Sequence, residues 1–282
     1  MTTIAALLAE ARRRIPASEA RLLLGHVLGR NAAWLEAHRD DEVAADSDYT
    51  ALVARREAGE PIAYLIGVRE FYGRDFVVSP DVLIPRPETE LLVDVAKTKV
   101  GAGRTARVLD LGTGSGCLAV TLALELPQAR VTAVDVSPAA LGVARGNAQR
   151  FGAQVEFVES DWFAALPPQR FELILANPPY VAAGDPHLAQ GDLRFEPADA
   201  LTDHADGLMG IRLIVAQAHD WLAEGGWLFL EHGYDQDTAV QALLAAAGFS
   251  QIEQHRDLAG ILRATGGRGP GAEAIVFPAN NQ

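Results

Sequence analysis

The chain has 282 residues, 49% of them hydrophobic, a single cysteine and a formal net charge of −13. This length and composition give a globular protein with room for two domains and exclude a disordered one. One cysteine excludes an intramolecular disulfide and fits a reducing compartment, and the acid excess argues against direct contact with nucleic acid. No apolar run reaches the roughly 18 residues that span a bilayer, so no membrane partner is expected. Arg12, Arg13 and Arg14 follow the first apolar stretch, the reverse of a secretory order, so a cytoplasmic protein is expected. Histidine and cysteine do not cluster at metal-ligand spacing, and no metal is expected.

Residues 1–59 carry helical periodicity. Leu7, Leu8 and Ala11 share one face of a first helix. Ser18 is placed to cap a second, which runs from Arg21 to Leu28 and stops at Gly29. Trp34-Leu35 and Leu52-Val53 mark two more, so a bundle of four or five helices is expected. Its densest basic groups, Arg12 to Arg14 and Arg55-Arg56, read as solvated helix faces or as a patch for an acidic partner. Residues 60–87 read as a linker with a β-hairpin around Gly73. Residues 88–282 read as an α/β domain, with helices over 213–222 and 238–247. Its later strands are expected at 226–231 and 272–278, with an antiparallel pair at the sheet edge.

Four strand ends in this domain carry polar chemistry. Val108-Leu109-Asp110-Leu111 runs into Gly112-Thr113-Gly114-Ser115-Gly116, and a helix opens at Cys117. Glycines there let backbone approach a ligand, beside the free N–H groups of a helix N-terminus. A second strand, Val131-Thr132-Ala133-Val134, ends in Asp135. A carboxylate at that distance can accept both hydroxyls of a ribose; as a helix cap it would only precede Ser137-Pro138. A third strand ends in Asp161-Trp162, where the carboxylate can accept from an adenine amino group and the indole can flank the base. The alternative is an N-cap aspartate and a core tryptophan. The fourth apolar run ends in Asn177-Pro178-Pro179-Tyr180. Two prolines cannot continue a ladder but keep their carbonyls. With the Asn177 carbonyl and the Tyr180 ring they suit a planar NH2 group. In a parallel sheet all four ends face one crevice. His187, His204 and His232 read as surface residues or neighbours of the site.

This order resembles the class I S-adenosylmethionine-dependent methyltransferases, in which NPPY marks enzymes that methylate a planar amide or amino nitrogen. Ile84-Pro85-Arg86-Pro87-Glu88-Thr89-Glu90 sharpens the match: with NPPY it resembles the glutamine methyltransferases of class-1 peptide release factors. Gly191-Asp192-Leu193-Arg194-Phe195-Glu196-Pro197, the segment 222–233 and Asp257-Leu258-Ala259-Gly260 fit the same pattern. The resemblance covers about residues 5 to 265 and departs after Arg263. It implies a Rossmann-like class I methyltransferase sheet with a small N-terminal helical bundle and a connecting hairpin. It implies S-adenosylmethionine held by Gly112, Thr113, Gly114, Ser115, Gly116, Asp135, Asp161, Trp162 and Asn177. Asn177, Pro178, Pro179 and Tyr180 would bind the substrate, with Asn177, Pro178 and Tyr180 catalytic. The implied substrate is the glutamine of the Gly-Gly-Gln motif in a release factor, docked by the helical domain of a monomer. Glutamine methylation of a ribosomal protein and adenine methylation are the alternatives.

Overall fold

The computed structural model describes residues 2–44, 46–101 and 103–269. At the N-terminus, apolar residues repeat on single helix faces and close over one another. β1 (Thr2–Thr3) leads into α1 (Ile4–Ala11), whose first turn is capped by the Thr3 hydroxyl accepting from the Ala6 N–H. α2 (Ala17–Leu28) and α3 (Ala32–Ala37) follow, the latter capped by Asn31. β2 (Glu42–Val43) pairs antiparallel with β1. α4 (Asp46–Glu57) and α5 (Ile62–Ile66) complete five helices around a core of their own that includes Ile4, Leu23, Leu24 and Leu35.

Three expectations change here. α2 starts after Pro16, so Ser18 lies inside the helix and caps nothing. The two-residue ladder of β1 and β2 carries no period that a sequence could betray. Arg14 pairs with Glu57, Arg55 with Glu60, and Arg56 with both Glu19 and Asp192. Most of the expected basic patch is therefore spent on ion pairs, of which Arg14–Glu57 and Arg56–Glu19 tie the bundle together and Arg56–Asp192 reaches beyond it.

β3 (Val68–Phe71) and β4 (Arg74–Val77) form the expected hairpin, turning at Tyr72 and Gly73 with φ of 51° and 74°. It is not a free connector. Phe71 and Phe76 are fully buried in the core under the main sheet, with Leu92 and Val93 of α6 (Glu90–Val100).

The main sheet is built from β5 (Arg107–Leu111), β6 (Arg130–Asp135), β7 (Val155–Glu159) and β8 (Phe171–Ala176). α7 (Cys117–Glu125) and α8 (Pro138–Phe151) cross between the first three. α9 (Ala198–Leu201) and α10 (Met209–Trp221) precede β9 (Leu222–Glu231). α11 (Asp237–Ala246), β10 (Ser250–Arg256) and β11 (Leu262–Arg268) finish the sheet. The order is β10-β11-β9-β8-β5-β6-β7, parallel except at β11 and β10. β6 and β7 step away from β5 on one side and β8 and β9 on the other, so the order reverses between β5 and β8. In such sheets a ligand crevice opens at that reversal, beyond the carboxyl ends.

The antiparallel edge is present but built from other residues. The strand expected at 272–278 lies outside the described residues, and β9 begins at Leu222, ahead of the expected 226. β10 and β11 supply the edge, including the glycine-rich run after Arg263 where the family pattern stops. The glycine there has a packing reason: a Cβ on Gly266 would overlap the Phe229 ring and the Leu228 carbonyl of β9.

Candidate active site

A cavity of about 290 Å³ lies at the sheet reversal, the scale of a small-ligand pocket. Gly112, Gly114, Asp135, Asp161, Trp162, Asn177 and Pro179 all line it. The four polar strand ends thus do converge. Gly112 is exposed at a φ of 73°, which leaves backbone open to a ligand where a side chain would be strained.

Asp135 is anchored before any ligand arrives. Its Oδ2 accepts from the Gly114 N–H at 2.8 Å and its Oδ1 from the Ser137 N–H at 2.9 Å. Burial pushes its pKa up, and these backbone bonds oppose the push. A carboxylate has about four acceptor sites, so two remain for a diol. The capping alternative falls to another residue: the Ser137 hydroxyl, not Asp135, caps α8 by accepting from the Ala140 N–H.

Trp162 adopts a φ of 48°, uncommon for a bulky side chain. Its ring lies between two glycines: a Cβ on Gly112 would stand 3.8 Å from it and one on Gly210 of α10 3.4 Å. The indole is half core and half cavity wall. Asp161 is exposed at the cavity edge.

The rest of the glycine turn also holds the fold together. The Thr113 hydroxyl donates to buried Asp110 at 2.7 Å. The Ser115 carbonyl accepts from Asn147 Nδ2 at 2.8 Å. A Cβ on Gly116 would come within 2.9 Å of the Ala144 Cβ, so this glycine seats α7 on α8. Thr113 and Ser115 line a smaller cleft beside the main cavity, with Asn177; Gly116 lines neither.

At the end of β8, Pro178 is buried and Asn177 half-buried. Asn177 Nδ2 donates to Thr89 Oγ1 at 3.0 Å. Tyr180 is held at both ends. Its hydroxyl donates to Glu231 Oε1 at 3.4 Å, and its carbonyl accepts from Gln236 Nε2 at 3.0 Å. Gly207 allows this, because a Cβ there would collide with the Tyr180 carbonyl. The outer cavity wall, Pro197 and Asp199, hangs on Glu196. That buried carboxylate accepts from Arg86 Nη2 at 2.6 Å and from the Ile84 N–H at 2.9 Å.

Several site residues escaped the sequence reading: Thr89, Asp110, Glu231 and the Arg86–Glu196 pair. The segments 84–90 and 191–197 stand out in the sequence, but only the structure shows one clasping the other. Buried acids inside apolar strands were the available signal. Burial pushes both Asp110 and Glu231 up to about 7. Of the two options for His232, the surface one falls away: it is completely buried beside Glu231, its Nδ1 on the Gly233 carbonyl and its Nε2 on the Thr265 hydroxyl. His187 and His204 are exposed, each against an aspartate.

The Methyltransferase small domain matches residues 87–204, and the PrmC N-terminal domain matches residues 1–67. A release factor glutamine methyltransferase of Burkholderia pseudomallei is 55% identical, covering 91% of this chain and 93% of its own. One of Neisseria gonorrhoeae is 51% identical, covering 90% and 94%. The chain belongs to the release factor glutamine methyltransferase family. A methyltransferase structure from Pyrococcus furiosus, 19% identical with a TM-score of 0.55, covers 79% of this chain and 99% of its own and shares the fold. The family's methyl donor is S-adenosylmethionine. The donor set fits it: open glycine backbone at Gly112 and Gly114, an anchored carboxylate at Asp135, and a carboxylate beside an indole at 161–162.

Proposed function

We propose that this protein methylates the side-chain amide nitrogen of the glutamine in the Gly-Gly-Gln motif of class-1 release factors. It acts as a cytoplasmic monomer on a protein substrate, without nucleic acid or membrane contact. The observation that carries this reading is Asn177-Pro178-Pro179-Tyr180 fixed on the rim of a cavity whose other strand ends suit the methyl donor.

S-adenosylmethionine supplies, when bound, a methyl group activated by the positive charge on sulfur. A glutamine amide is a poor nucleophile because its lone pair is delocalised. Asn177 Oδ1 and the Pro178 carbonyl accept its two N–H bonds, which fixes the NH2 group. Both dipoles favour positive charge on the nitrogen as it attacks, and preorganised dipoles of this kind contribute several kcal/mol. Alignment itself can remove up to about 7–11 kcal/mol of barrier. Tyr180 packs beside the amide. The product nitrogen is acidic once alkylated, so no strong base must act first. Transfer of labelled methyl to purified release factor, ribosomal protein and DNA tests the reading. Label on the release factor alone supports it, and label on ribosomal protein or DNA instead refutes it.

The ribose role of Asp135 has its own test. Asp135→Ala should weaken S-adenosylmethionine binding roughly 10- to 150-fold, the loss of hydrogen bonds to a charged group at about 1.5–3 kcal/mol. Calorimetric titration reads this, and unchanged affinity would remove Asp135 from the site.

A lone glutamine gives a small pocket little to select by, whereas a standard interface buries about 800 Å² on each partner. The helical domain is therefore read as the docking surface. It offers an open groove that includes Arg21, Leu22 and Arg30, with Leu22 half exposed. Leu22→Asp should lower kcat/KM about tenfold for the intact factor, as for an interface anchor, and leave a short glutamine peptide unaffected. Equal loss for both substrates would sink the docking role.

A further inference from the structure

An asparagine amide fits its density of neighbours in two orientations, and only one turns the carbonyl toward a substrate NH2. In this protein Asn177 Nδ2 donates to Thr89 Oγ1 at 3.0 Å. A hydroxyl that accepts such a bond still has one hydrogen to donate. Thr89 sits at the N-cap of α6, where a threonine normally accepts from the backbone, yet its side chain makes no capping bond. Glu231, at the end of β9, is the acceptor at hand. It is 1% exposed and receives the long Tyr180 hydroxyl bond on Oε1, and the Thr89 side chain is near enough to lower its pKa. Its Oε2 is buried with no hydrogen-bond partner among the described residues. Such an oxygen is costly unless a donor serves it.

We propose that Thr89 and Glu231 are positioning residues for the substrate amide. The Glu231 carboxylate takes the Thr89 hydroxyl hydrogen, Thr89 takes the Asn177 N–H, and Asn177 Oδ1 is thereby turned to the glutamine. This rests on the reading of Asn177 as the amide acceptor. The polarity of the relay depends on charge. An ionised carboxylate can only accept, so every bond in the chain runs one way. A protonated Glu231 can donate to Thr89, Thr89 can then donate to Asn177 Oδ1, and the amide presents N–H to N–H.

The surroundings place that reversal near neutrality. Burial pushes Glu231 up to about 7, and Glu88 adds to the push. Arg263 of β11 and the Thr89 and Tyr180 hydroxyls oppose it. The Cys117 thiol of α7 is also within its field and is held neutral, its pKa raised to about 12. Asp110 of β5 acts on that thiol from the other side. The productive form is the carboxylate, so turnover should fall as pH drops through about 7.

Three full-length variants test this with release factor as substrate. Thr89→Val keeps shape and removes the hydroxyl; kcat should fall about tenfold or more, the loss of one charge-assisted hydrogen bond. The KM for S-adenosylmethionine should hold. Thr89→Ser should restore most of kcat. Glu231→Gln cannot titrate, so its kcat should lose the acid-side fall. A Thr89→Val enzyme with wild-type kcat, a Thr89→Ser enzyme no better than it, or an intact acid limb in Glu231→Gln would overturn the proposal. A readout without turnover separates it from the choice of substrate. In 15N-asparagine-labelled protein the Asn177 side-chain resonance should shift in Thr89→Val and stay in Thr89→Ser. An unmoved resonance overturns the relay. A moved resonance in a protein that leaves release factor unmethylated upholds the relay and faults the substrate.

Discussion

Asn177→Ala should lower the methyl-transfer rate by about 10²-fold or more, by analogy with removing one preorganised dipole from a site where charge develops. Binding of S-adenosylmethionine should change little. Asn177 lies on the cavity wall, but on the proposed reading the ribose and base ends fall to Asp135, Asp161 and Trp162, which line the same cavity from other parts of the sheet. The alanine leaves Thr89 without its Asn177 donor, at about 1 kcal/mol of stability, so the variant should fold and melt only slightly lower. The loss should appear in kcat. Single-turnover transfer and calorimetric titration separate the two effects. A folded Asn177→Ala enzyme with a near-wild-type rate would remove Asn177 from the reaction, and with it the amide-acceptor reading.

The strand ends were legible because each combines an apolar run with a polar stop, and a parallel sheet brings such stops to one edge. Gly112, Asp135, Asp161 and Asn177 needed no more than that order. What sequence could not separate was the cavity face of the glycine turn from its packing face. Gly112 and Gly114 line the cavity while Gly116 presses on Ala144; the three look alike in a GxGxG run. Thr89 and Glu231 were hidden for a different reason. Thr89 stands at the start of α6 and Glu231 at the end of β9, far apart in the chain and brought near only where α6 packs on β9. β11 was not legible in the sequence because Gly266 and Gly267 give it a weak strand signal. A buried strand tolerates glycine where a neighbouring ring fills the space, and Phe229 does so. Serine favours the cap position, but Pro16 stands at the N-cap of α2, two residues ahead of Ser18.

Phe71→Ala should destabilise the protein by about 3–5 kcal/mol, the range for emptying a buried aromatic site. Sequence alone places Phe71 in a linker, where a truncation would stay within about 0.5 kcal/mol. The Phe71 ring is fully buried, with its centroid 6.1 Å from that of Phe76 in an edge-on pair, and Phe76 is 5.0 Å from Phe151 of α8. Polar contacts fix the turn as well: the Tyr72 N–H donates to Glu90 and Arg74 pairs with Glu125 of α7. Val77→Ala is the control, since that side chain is 38% exposed on the same hairpin. Urea unfolding of both variants reads the difference, and a Phe71→Ala shift no larger than that of Val77→Ala would restore the linker reading. The consequence reaches the site. The chain leaves β4 and runs directly through Val82 and Leu83 at the cavity to Thr89 at Asn177. The hairpin is thus the fixed end of one cavity wall. S-adenosylmethionine binds the folded form, so at about 100 times its Kd it should return about 2.7 kcal/mol to Phe71→Ala if that wall still closes. A smaller return would show that the hairpin shapes the pocket as well as the core.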